Sequence, residues 1–194
     1  MLNDWVSPWW QAVCLPESWD VCGVSVPSLS LWHTFALENI GNRYLRGGAC
    51  DKNDVASLLL FASRDMRGGR RLMLDSRYRD KRLAKMSGLL KGADCVDLNT
   101  ACVDYVETCM RSPRRWEKKD GAGRPSAVPY QVHIVRALCA DYGTPICEAW
   151  NTAYAYARML YDASAEANGD RSIMTPSAEA LDDEMFEKLE AEKK

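Results

Sequence analysis

Eight cysteines and two histidines are the side chains through which this 194-residue chain could hold a metal or carry a nucleophile. The cysteines stand at Cys14, Cys22, Cys50, Cys95, Cys102, Cys109, Cys139 and Cys147, with no Cys-x-x-Cys, and His33 and His133 are the imidazoles. Zinc sites usually pair ligands about two to four residues apart, a spacing this chain lacks. Cys95, Cys102 and Cys109 recur every seven residues. On a helix that separates neighbours by about 10 Å, too far for two of them to share one metal or one disulfide. The cysteines are therefore expected to be small buried apolar side chains in a reducing compartment. No Gly-x-x-x-x-Gly-Lys-Ser/Thr, Gly-x-Gly-x-x-Gly, His-Glu-x-x-His or Gly-x-Ser-x-Gly motif occurs either. Arg67-Gly-Gly-Arg70 lacks a following lysine and a preceding strand and is expected to be a turn, and Asp182-Asp183 lies where both carboxylates would be solvated.

His33 is then the residue to place. A helix starting near Ser28 or Ser30, either able to cap it, puts Leu29, Trp32, His33, Ala36, Leu37, Ile40 and Tyr44 in one arc on a 100° wheel. Ser30, Thr34, Glu38 and Asn42 fall opposite, so the helix offers His33 no carboxylate, and a core or interfacial histidine satisfied by a neighbour is expected rather than a catalytic one. Gly47-Gly48 stops that helix.

The remaining elements also read as helices. Asp51 or Asn53 caps a short, nearly all-apolar helix through Val55–Ala62, expected to be central. From Arg64 to Lys91 ten Lys or Arg face three Asp, a local net of +7, with Leu72, Leu83, Met86 and Leu90 on one flank and Arg70, Arg77, Lys81 and Lys85 on another, the pattern of an amphipathic basic helix. Asp94 opens the next helix, with Cys95, Leu98, Cys102, Tyr105, Val106 and Cys109 on one face and Val96, Val103 and Met110 on a second stripe. A polar, basic run at 111–125 is the expected mobile linker. A helical hairpin follows, from Pro129 to a stop at Gly143, then from Thr144-Pro145 to Asn168-Gly169 with Ile146, Trp150, Ala153, Tyr154, Ala157, Leu160 and Tyr161 as its buried stripe.

The sequence thus predicts an all-α fold, an irregular bundle of five to seven helices. Three parts are expected: a Trp/Pro-rich arm at 1–27, extended or looped, that includes Trp9 and Trp10; a helical domain at 28–169; and an acidic, partly disordered tail at 170–194. In the tail Leu181, Met185, Phe186 and Leu189 form a narrow apolar stripe among seven acids and three lysines. The net charge of −2 gives no global attraction to nucleic acid or membrane, the N-terminus lacks the charged and apolar blocks of a signal peptide, and no run approaches the about 18 apolar residues of a membrane span. A cytosolic protein is expected.

Two segments resemble a known family. Residues 15–48 carry Leu-Pro-x-Ser-Trp, Ser30-Leu-Trp-His33 and Ile-Gly-Asn-x-Tyr-Leu; residues 128–175 carry Pro-Tyr, Tyr-Gly, Glu-Ala-Trp-Asn and Gly-x-x-x-Ile-Met-Thr. They look like small helical proteins of tailed-phage and prophage morphogenesis clusters, tail assembly chaperones thought to act on the tape-measure protein. The resemblance implies a non-enzymatic chaperone in the cytoplasm of a bacterial host, without cofactor, catalytic or metal residues, that binds a tape-measure or other tail protein before the tail tube polymerises. Homo-oligomerisation is compatible with it. Trp9, Trp10, Leu181, Met185, Phe186 and Leu189 would supply apolar contacts, and Arg77 and Lys81 would attract an acidic partner. A structural virion component, such as a neck or tail-completion protein, is the alternative. A nucleic-acid-binding regulator using residues 64–91 is a further one, disfavoured because Tyr78 is the only aromatic in that segment.

Overall fold

The computed structural model describes residues 12–115, 127–170, 172–174 and 176–192. Among them are ten α-helices and one two-stranded sheet, so the chain is mainly helical, with more and shorter helices than the periodicity predicts.

The segment expected to be an arm holds an antiparallel hairpin, β1 (Trp19–Val21) and β2 (Val24–Val26), in the register Trp19↔Val26 and Val21↔Val24. Its two-residue loop, Cys22-Gly23, has both φ positive at 56° and 74°, as a turn matched to strand twist requires. Strand alternation then turns Trp19, Val21, Val24 and Val26 to one face, and Val21 and Val26 are buried in the core. Trp19 packs its edge against Tyr105 at 5.9 Å and donates from Nε1 to the Ser28 hydroxyl, while the Tyr105 hydroxyl donates to the Pro27 carbonyl. Trp9 and Trp10 lie outside the described residues.

Helix α1 (Leu31–Asn39) is capped by Ser30 and is buried almost all round, because Thr34 from its expected polar side returns its hydroxyl to the Leu31 carbonyl. It ends earlier than expected, at Gly41, whose φ of +77° breaks the periodicity. Buried Asn42 then caps α2 (Arg43–Arg46) and donates to the Asp54 carbonyl and the Ser57 hydroxyl. The Ile-Gly-Asn-x-Tyr-Leu sequence is thus a turn and the start of α2, on the way from α1 to α3 (Lys52–Ala62), the central helix capped by Asp51.

The basic segment forms two helices, α4 (Met66–Leu74) and α5 (Ser76–Leu89), because Asp75 leaves the helical region and caps the second with its carboxylate. Arg67-Gly-Gly-Arg70 lies inside α4 and not in a turn. Asp65 caps that helix. Helix α6 (Cys95–Met110) buries Leu98, Cys102, Tyr105, Val106 and Cys109, whereas Cys95 and Val96 are exposed, so its first turn projects beyond the bundle. Of the eight cysteines only Cys102 and Cys109 are buried, and Cys14, Cys95 and Cys147 are exposed, contrary to a uniformly buried set.

The second half packs α8 (Ile146–Asn151) and α9 (Tyr154–Ala167) on α7 (Tyr130–Tyr142). Gly143, left-handed at φ +66°, stops α7. The expected long last helix breaks at Thr152-Ala153, because that backbone is diverted to the start of α1: Leu31 N–H donates to the Thr152 carbonyl and Tyr154 N–H to the Leu29 carbonyl. Ile146, expected in the buried stripe, is exposed. Leu31 lies in the core of this half, and Met110 and Trp150 pack against both cores.

Helix α10 (Pro176–Glu192) is tied back by Arg114, which donates from its backbone to Glu179 (2.6 Å) and from its guanidinium to Asp183 (2.5 Å). Beside it Arg115 pairs with fully buried Asp162 and with Asp170, and Arg158 clamps both Asp162 oxygens at 3.0 Å. No helix among the described residues is long and apolar enough to cross a membrane.

Candidate functional site

The arrangement with the most to offer a ligand is an aromatic groove where α1, α4 and α8 meet. Trp32 and Phe35, three residues apart, project from one side of α1. Met66, Arg67 and Arg70 come from α4, and Cys147 and Trp150 from α8, enclosing about 430 Å³. Phe35 and Trp150 meet at a tilt, with ring centroids 5.3 Å apart, inside the range in which aromatic pairs attract.

Local chemistry fixes each wall. His33 is buried and satisfied at both ring nitrogens: Nδ1 accepts from the Ser30 N–H at 3.0 Å and Nε2–H donates to the Arg64 carbonyl at 2.6 Å. It replaces the acid of an N-terminal capping box and also ties α1 to the turn before α4. Burial holds its pKa below the ordinary value, outweighing the opposing effects of the Arg64 carbonyl and the Asp65 carboxylate, so the ring is neutral. The Asn151 carboxamide oxygen accepts from the Met66 N–H at 2.9 Å and ties α8 to the same end of α4.

Gly69 brings α4 against the indole. A Cβ there would lie 2.8 Å from Nε1 and 3.0 Å from Cζ2 of Trp32, so the helix accepts a glycine, at about 1 kcal/mol relative to alanine, in exchange for this approach. The Trp32 N–H is buried without an acceptor among the described residues. On the rim Arg67 and Arg70 are exposed and form no ion pair among the described residues, unlike Arg71, which pairs with Asp75. The groove therefore joins an apolar floor to two exposed guanidinium groups one helical turn apart.

The residues singled out from sequence do not converge on it. Arg77 and Lys81 are exposed on α5 and line no part of the groove. The Tyr78 ring takes the guanidinium groups of Arg71, at 4.2 Å, and Arg82, at 5.1 Å from its centroid. Leu181, Met185 and Phe186 are exposed on α10 at 58%, 56% and 63%, and the Leu189 side chain lies outside the described residues. Sequence reasoning placed Trp32 and Trp150 in separate apolar stripes and left Phe35 unassigned. The available signal was Arg67-Gly-Gly-Arg70, where paired glycines inside a helix mark a close approach.

Burial works against the thiolate at four of the eight cysteines. Burial pushes Cys102 up to about 12 and Cys109 to about 11, and raises Cys22 and Cys50 as well. Among the described residues no group of three or more His, Cys, Asp or Glu could hold a metal ion. Comparison of the chain with models of known protein families, with curated proteins and with solved structures finds no match.

Proposed function

We propose that this chain is a non-enzymatic assembly chaperone of the phage tail type, which holds an apolar helical segment of the tape-measure protein before the tail tube polymerises. The observation that supports the reading is the groove of Trp32, Phe35, Met66 and Trp150 with Arg67 and Arg70 on its rim, neither of them in an ion pair among the described residues. A helix laid in such a groove anchors through side chains spaced three and four residues apart, and the arginines select a segment with flanking acids. The exposed Leu181, Met185 and Phe186 provide a second apolar surface on α10. Client holding calls for surfaces of this kind, where an enzyme would need a nucleophile or base with an oriented partner.

Co-expression with the tape-measure protein of the same phage or prophage tests the proposal. A complex that survives purification and raises the solubility of the partner is expected. Trp150→Ala should abolish capture, and no complex with the unaltered chain would overturn the proposal. Purified virions separate the structural alternative: a chaperone is absent from them, whereas a neck or tail-completion protein is present in fixed ratio.

A further inference from the structure

The groove has a matching occupant on the same chain. Helix α10 presents Leu181, Met185 and Phe186 to solvent, and Asp182, one turn before Phe186, flanks the stripe with a half-exposed carboxylate that lies 3.8 Å from Arg114 within the chain and would exchange that partner for a groove arginine. Apolar residues at i, i+4 and i+5 with an acid at their edge match an aromatic floor bordered by arginines at i and i+3 of α4. The charges complement each other. Residues 176–194 carry seven acids against three lysines, while Arg67 and Arg70 lack carboxylate partners among the described residues.

Within one chain the contacts of Arg114 to Glu179 and Asp183 hold the first turns of α10 elsewhere, with its apolar stripe turned to solvent, and no described side chain of α10 lines the groove. We infer that the groove of one copy takes the α10 helix of a second copy, in a reciprocal dimer whose two identical contacts are related by a two-fold axis. This rests on the groove being a docking site, as in the proposed function, and adds that the free protein covers its own site until a client segment displaces the helix.

Sedimentation velocity of the full chain, from low to high micromolar, tests this. The unaltered protein should pass from monomer to dimer. Met185→Ser with Phe186→Ser, which alters only exposed side chains, should weaken the dimer about tenfold or more, as should Arg67→Glu with Arg70→Glu, equivalent to about 1.4 kcal/mol. Circular dichroism confirms that each variant is folded. Mixing the two variants leaves one contact intact and the reciprocal one doubly altered, so the mixture should associate less tightly than the unaltered protein. A monomer at every concentration, or a dimer that neither pair weakens, would overturn the inference. A monomer that still captures the tape-measure segment would leave the proposed function standing, and a dimer that captures nothing would remove the function but not the dimer.

Discussion

The buried Nε2–H of His33 donates to the carbonyl oxygen of Arg64 at 2.6 Å, joining the first turn of α1 to the chain that leads into α4. Because Nδ1 accepts from the Ser30 N–H, the ring must stay neutral to serve both contacts. Desolvation depresses its folded pKa, while the unfolded histidine titrates near about 6.5. Below that pH the unfolded chain takes up a proton that the folded chain refuses, so stability falls as pH drops through about 6.5 and is fully present above it. Thermal unfolding between pH 8 and 5 should show this slope. His33→Gln, which can keep the capping box, should cost about 1–2 kcal/mol at neutral pH and flatten it.

Gly69 tests the groove from the other side. Gly69→Ala places a Cβ 2.8 Å from Trp32 Nε1, and overpacking of this kind costs about 1–3 kcal/mol, more than the better helix propensity returns. A lower melting temperature and altered tryptophan fluorescence are expected. Gly88→Ala is the control: a Cβ at that helical glycine meets nothing within 4 Å, so it should stabilise by about 0.5–1 kcal/mol.

Much of the helical architecture was legible because caps and apolar periodicity are local. Ser30, Asp51 and Asp94 start helices where the sequence places them, and Val55–Ala62 is central because no polar face interrupts it. The breaks were less legible, since each depends on distant backbone. The backbone leaves the helix at Thr152-Ala153 so that the Thr152 carbonyl bonds with Leu31 and the Tyr154 N–H with Leu29, over a hundred residues away, and Asp75 serves as the end of one helix and the cap of the next. The hairpin was hidden by its short strands and by a Cys-Gly turn where Asn-Gly is the usual signal. The groove was hidden for a similar reason: Trp32, Met66 and Trp150 belong to three helices, and no spacing within one helix reports that they meet.

Asp162 should be the most sensitive charged residue. It is fully buried and compensates Arg115 and Arg158 together. Asp162→Ala leaves both guanidinium groups without their shared acceptor, a loss of about 3–5 kcal/mol by analogy with other broken buried pairs. Urea unfolding should show the loss as a lower midpoint at unchanged slope.

Arg114 should behave differently, because its partners are exposed. Side-chain accessibilities of 53% for Arg114 and 55% for Asp183 place the pair in the range where ion pairs contribute about 1 kcal/mol or less. Arg114→Glu also sets a like charge against Glu179, Asp182 and Asp183, so it should release α10 while leaving the two cores intact. Limited proteolysis should then cut between residues 170 and 180 faster than in the unaltered chain, with the main thermal transition unmoved. Should the dimer form as inferred, the same variant strengthens it, because a released α10 keeps Leu181, Met185 and Phe186 and loses only its intramolecular anchor. An Arg114→Glu chain that is both protease-resistant and unchanged in association would show that Arg114 does not restrain the helix.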